Sequence, residues 1–265
     1  MKKKLSLVLS LVLVVGLLTG CSISPEAITP ETATGLWDKF FVLPLASFIT
    51  LLYNLLNNNL GFAIILATAI VRGVLMPLYA KSNKSMAVMQ EIQPEMQRIQ
   101  KKYENKKDQQ SQVKMQQEMM ELYKKFNYNP MMGCVLPFLQ MPVFFAFYQA
   151  ISRHPLIQNA AAADFFGISL GSTSTPANWI LALLVAGLTV YSQRLMNKSM
   201  AASMNNNSQQ NQTSNTMMKV MTYYMPFAMF SITIGTPFAF GLYFLTGQIM
   251  TIVQSLIFKR PGAKK

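Results

Sequence analysis

Charge is what this sequence has least of. Only 12% of its 265 residues are charged, about half the fraction usual in a soluble domain. Acids are the scarcer sign: ten Asp and Glu face 23 Lys and Arg, for a net charge of +13. There is one histidine, His154, beside Pro155, and it is expected on the surface of a loop. The two cysteines, Cys21 and Cys134, sit at a processing site and at the start of an apolar run. That argues against a structural disulfide, and no metal-type Cys/His spacing exists. No glycine-rich phosphate loop is present. An intramembrane acid pair and a nucleophile–base set are also missing. These absences argue against a nucleotide-driven machine, a metalloprotein and an enzyme, and no cofactor is expected.

What the chain does have is apolar length. Just over half of it, 51%, is hydrophobic. Apolar content with a basic surplus points to a membrane protein whose positive loops face the cytoplasm. Nucleic-acid binding is the other common meaning of a basic chain, but it needs a soluble basic face. Long apolar runs occupy most of this chain, so no specific nucleic-acid site is expected.

The N-terminus has the layout of a secretory signal. Lys2, Lys3 and Lys4 precede a short apolar stretch, residues 5–18. Such a segment is too short for a permanent span. It ends Leu18-Thr19-Gly20-Cys21, which resembles the bacterial lipobox. The resemblance implies cleavage after residue 20 and lipidation of the Cys21 sulfur. The alternative is an uncleaved anchor helix with a chance cysteine. Residues 21–59 then form an external segment.

A hydrocarbon core of about 30 Å needs about 20 helical residues. Five later stretches qualify: residues 60–80, 131–152, 178–196, 218–234 and 238–258. Gly235-Thr236-Pro237 separates the last two. Unbroken, residues 218–258 would make a helix of about 60 Å, too long for one crossing. Residues 36–56 are also apolar, but contain Asp38, Lys39 and Pro44 and end in Asn57-Asn58-Asn59. Parity decides their placement. If they crossed, the Lys/Arg-rich segment 81–130 would lie outside. They are therefore expected as an amphipathic helix along the outer face. Seventeen Lys and Arg then fall inside (segment 81–130, the linker 197–217 with Arg194 and Lys219 beside it, and the basic tail 259–265) against Lys39 and Arg153 outside. This satisfies the positive-inside rule. The expected fold class is an all-α integral membrane protein of five transmembrane helices around a hydrophilic groove. It has an external N-terminus, an external loop at 153–177 and a cytoplasmic C-terminus in the cell membrane.

Within 81–130, Met89, Ile92, Met96, Ile99 and Tyr103 keep a 3-4 spacing, as do Met115, Met119, Leu122 and Phe126. Each set gives one apolar seam, which predicts a cytoplasmic helical hairpin turning near residues 105–108. It is either a plain solvated loop or a docking element for clients, ribosome or anionic lipid. The linker is rich in Asn, Gln and Ser and is expected to be flexible. The 20 methionines suit contact with varied apolar partners, and equally suit core filling.

One residue carries the functional argument. Arg72 is the charged residue well inside a predicted span, about 12 Å from its cytoplasmic end. Burying a guanidinium there costs about 2.5–3.5 kcal/mol even on the lenient insertion scale. None of the five predicted spans contains a carboxylate. Arg72 therefore either snorkels to the inner headgroups or lines a wet cavity open to the cytoplasm. The cavity is the preferred reading. Gln140, Ser192, Gln193, Thr246 and Gln248 are polar residues of other spans that would line it, or would form interhelical hydrogen bonds instead.

Several longer motifs remain: Ile92-Gln93-Pro94-Glu95-Met96, Leu122-Tyr123-Lys124-Lys125 and Asn129-Pro130-Met131-Met132-Gly133-Cys134. They continue through Leu136 to Tyr148, with Tyr224-Met225-Pro226 and Gly241-Leu242-Tyr243-Phe244. In these segments the sequence resembles the YidC family of membrane protein insertases, related to the Oxa and Alb proteins. The short lipoprotein form looks like the Gram-positive type. The resemblance implies an insertase and chaperone for integral membrane proteins and lipoproteins, alone or with the Sec translocon. It implies a client groove with Arg72, Gln140, Gln193 and Phe244. Phe244 stands where the family often has tryptophan. The implied partners are nascent membrane proteins, the bilayer, the Sec translocon, the ribosome and the signal recognition particle system, with the chain working as a monomer. A small-solute transporter or channel for an anion is the alternative, although no repeat with paired broken helices is visible.

Overall fold

The computed structural model describes residues 26–104, 106, 108–129, 131–158, 163–201 and 224–257. Cys21 with the signal segment, most of the Asn/Gln linker and the basic tail lie outside the described residues. The chain is mostly helical. A one-turn π-helix, Asp38–Val42, leads into α1, Leu43–Leu55. Helix α2 is Leu60–Val74, α3 Met76–Tyr103, α4 Gln109–Lys125 and α5 Met131–Ser152. A short α6, Pro155–Gln158, precedes an antiparallel pair, β1 Asp164–Phe165 and β2 Ile168–Ser169. Helix α7 is Pro176–Ala201, α8 Tyr224–Gly235 and α9 Phe238–Ile257.

By length and composition, Asp38–Leu55 and Phe238–Ile257 can each cross a membrane, and the bent pair Leu60–Val74 with Met76–Ser82 makes a third candidate. The bend is 53°. Its cause is Pro77, which has no N–H to continue the α2 ladder and is tolerated in the first turn of a new helix. Leu78 and Tyr79 donate instead to the Leu75 carbonyl, at 3.1 and 3.2 Å. The stretch 60–80 is thus two helices meeting at an angle. The break after α1 lies at Asn57 and Asn58, both with positive φ (51° and 60°), a conformation asparagine tolerates better than most residues.

The chain divides into two compact units. The first comprises Met1–Val71, Phe138–Leu183 and Ser231–Gly247. Its core is aromatic: Phe147 stacks on Tyr243 at 4.8 Å, and Phe240 meets Phe144, Tyr148 and Phe244 at 4.7–5.4 Å. Asn178, fully buried, donates to the carbonyls of Ser172 and Thr236 at 3.3 and 3.2 Å. The second bond satisfies a backbone carbonyl freed where the helix stops at Gly235 and restarts at Phe238, and the first ties in the loop before α7.

His154 is also in this unit and is buried, not at the surface as its place beside Pro155 suggested. Its Nδ1 accepts from the Leu156 N–H at 3.2 Å, so Nε2 carries the proton towards the Ala46 carbonyl at 3.2 Å. Local sequence missed this because the partner, α1, is about a hundred residues away. Beside it Arg153, 3% exposed, donates to Asp38 Oδ2 at 2.9 Å and to the Glu26 carbonyl at 3.1 Å.

The second unit comprises Arg72–Pro137, Leu184–Phe230 and Gln248–Lys265. Here α3 and α4 pair as a hairpin, with Ile92, Tyr103 and Leu122 buried in the seam. Asp108 caps α4 by accepting from the Ser111 N–H at 2.9 Å. Glu118 accepts from Lys102 at 2.6 Å and Tyr103 at 2.8 Å, which holds its carboxyl below the usual range.

Candidate functional site

Arg72 occupies the last turn of α2, ahead of the bend at Leu75. The exposed carbonyls of a helix C-terminus favour a cation there. Arg72 is half-buried, and its Nη1 donates to the Thr251 hydroxyl of α9 at 3.0 Å. The Arg72 carbonyl accepts from Gln254 Nε2 at 3.5 Å, and Gln254 is buried. Thr251 carries no formal charge, so this hydrogen bond orients the guanidinium without neutralising it. Thr251 and Gln254 were not singled out from sequence. The available signal was the spacing Gln248, Thr251, Gln254, which puts three polar residues on one face of an otherwise apolar helix.

The same unit holds three further expected residues, Ser192, Gln193 and Gln248. The buried Ser192 lies 3.5 Å from Gln248 Oε1 and donates to the Thr189 carbonyl at 2.9 Å. Gln193 Oε1 is buried and has no hydrogen-bond partner among the described residues. A buried amide oxygen of that kind is costly unless something polar reaches it.

Gln140, Phe244 and Thr246 belong to the first unit. Gln140 Nε2 donates to the Tyr243 hydroxyl at 3.3 Å, so it makes an interhelical bond. Thr246 donates to its own helix, to the Leu242 carbonyl at 2.9 Å. Phe244 is 8% exposed and packs on Phe240 at 4.7 Å. A phenyl ring there has no N–H, so it contributes packing where an indole would also donate a hydrogen bond. Cys21 lies outside the described residues. No cluster of three His, Cys, Asp or Glu that could hold a metal occurs among the described residues.

A model of the family described as 60Kd inner membrane protein matches residues 51–265. The chain belongs to this family, that of the YidC and Oxa proteins. A membrane protein insertase YidC from Oceanobacillus iheyensis is 40% identical over 265 residues, all of both chains. YidC 2 of Bacillus anthracis is 38% identical over 264 residues, covering all of this chain and 96% of that one. MisCA of Bacillus subtilis, also called a membrane protein insertase, is 37% identical over all of this chain and 95% of its own. YidC-family membership and the apolar helices make this an integral membrane protein. Its relatives carry the name of an insertase, not of an enzyme.

Proposed function

We propose that this chain inserts and folds membrane proteins, using Arg72 as a hydrated positive charge that receives polar segments of its clients. The observation that carries the proposal is the half-buried Arg72, its guanidinium steadied by the neutral Thr251 hydroxyl at 3.0 Å. A client carboxylate about 4 Å away would gain roughly 1 kcal/mol in bulk water and about 4 kcal/mol at an effective dielectric near 20. The polar tail of a single-span client enters beside Arg72, which shortens its passage through hydrocarbon. Burial of the client's apolar helix in lipid and the membrane potential drive the rest. Gln193, with its buried unpartnered oxygen, supports a polar lining on α7. Gln140 and Phe244 stay in the client-binding set on the family resemblance.

The topology proposed with this reading has five spans, an external lipidated Cys21 and a cytoplasmic C-terminus. Residues 38–55 lie along the outer face, because crossing there would reverse the positive-inside pattern. The α3–α4 hairpin then faces the cytoplasm, and is the proposed docking element for clients, the ribosome or anionic lipid.

Arg72→Ala is expected to abolish insertion of a single-span client with an acidic tail, and Arg72→Lys to retain much of it. The assay is protease protection of that client in cells depleted of other insertases. Normal protection with the alanine variant refutes the role. Crosslinks from position 72 to a stalled nascent chain support an insertase, and solute uptake by purified protein in liposomes supports the transporter alternative.

A further inference from the structure

The β1–β2 hairpin carries an aromatic residue where turn chemistry argues against one. Phe166 has φ +55° and Gly167 φ +78°, and together they make the two-residue turn between Phe165 and Ile168. Two positive φ angles in a hairpin turn call for Asn-Gly or Asp-Gly. A bulky side chain there is disfavoured by its own backbone. It is also 76% exposed, so within the chain it recovers little of that cost by burial.

The hairpin is firmly seated. Phe165 is buried over Gly61, where any Cβ would collide with its ring. Asp164 Oδ2 accepts from the Gly167 N–H at 3.3 Å, closing the turn. The tip is therefore held at the N-terminal end of α2. Phe62, 45% exposed, packs edge-on against Phe165 at 5.4 Å and Phe166 at 6.0 Å. Below Phe62, Leu66 and Ile70 are exposed at four-residue spacing on the same face of α2. In an integral membrane protein such an exposed apolar stripe faces lipid, and Phe166 extends it past the helix end. Asp164 is the one charged residue between Arg153 and Arg194, so little charge opposes contact with the membrane boundary.

We propose that the β1–β2 tip is a lipid anchor, with the Phe166 ring seated at the headgroup–acyl boundary beside the N-terminal end of α2. The ring gains in lipid what its backbone conformation forfeits, and it fixes the depth of that helix end. The inference rests on membrane residence and not on the client route, so empty vesicles test it without any insertion assay.

Full-length protein with Phe166→Trp, Trp37→Phe and Trp179→Phe is reconstituted in phosphatidylethanolamine/phosphatidylglycerol vesicles. The indole emission is expected to be blue-shifted and quenched about twofold or more by phospholipid brominated near the top of the acyl chain. Aqueous iodide is expected to quench it little. A water-like spectrum with strong iodide quenching overturns the proposal. Phe166→benzoylphenylalanine in an otherwise unaltered chain gives a second reading in cells. Crosslinks to lipid support the anchor, and crosslinks to another polypeptide overturn it in favour of a protein-docking tip.

Discussion

Two arginines divide this molecule's use of positive charge. Arg153 is sealed: its guanidinium meets the Asp38 carboxylate at 2.9 Å and a backbone carbonyl, and its own carbonyl accepts from the Ile28 N–H at 2.8 Å. With the buried His154 beside it, it clamps the segment before α1, and α1 itself, to the end of α5. Arg72 is half-buried at a helix bend and donates to a neutral hydroxyl. A carboxylate that meets a guanidinium cancels much of its field locally, whereas a hydrogen bond to a neutral hydroxyl cancels none of it. One arginine is structural and the other is proposed to work on clients.

The widest way to break this comparison is at the clamp. Removing one partner of a buried pair leaves an uncompensated charge, at about 3–5 kcal/mol. Asp38 keeps 17% side-chain exposure, so Asp38→Ala is expected at the low end, about 3 kcal/mol. Thermal unfolding in nanodiscs measures it. Arg72→Ala should by contrast leave the melting temperature nearly unchanged while insertion is lost. A large drop in its melting temperature would place both arginines in the structural class.

Thr251→Val sharpens the comparison. It removes the hydroxyl and keeps the volume, so about 1 kcal/mol of orientation is lost. Insertion rate should fall several-fold, with global stability little changed, and single-client kinetics can read it. An unchanged rate would show that Thr251 does not position the guanidinium.

The smallest effect is on pH. Burial pushes the His154 pKa below its ordinary 6.5, with its hydrogen bond to the Ala46 carbonyl opposing the shift. The unfolded chain then binds more protons than the folded one between the lowered value and 6.5. Stability is full above pH 6.5 and falls as pH drops through that window, by no more than about 1.4 kcal/mol per pH unit. Melting temperatures at pH 7.5 and 5.0 check the sign, and His154→Gln should flatten the difference.

Much of the local structure was legible in the sequence. The seams at Ile92, Tyr103 and Leu122 and the turn before Asp108 follow from a 3-4 spacing and a capping residue, both properties of contiguous chain. The helix break at Gly235-Thr236-Pro237 follows from proline's missing N–H. Arg72 stood out because a charge in an apolar run is conspicuous by itself. The bend one turn after it was less legible, because Pro77 suits a first helical turn as well as a kink. The partners Thr251 and Gln254 lie about 180 residues away in sequence, beyond the reach of any local pattern.

Composition and charge order therefore determined that this chain lives in a membrane, and its motifs assigned the family. Which arginine meets a carboxylate and which a hydroxyl, where His154 is buried, and that Phe166 stands exposed at a hairpin tip were decided by tertiary structure alone. The reason is physical: hydropathy and spacing act along neighbouring residues, whereas burial and hydrogen-bond partnership depend on which distant segments come within about 3 Å.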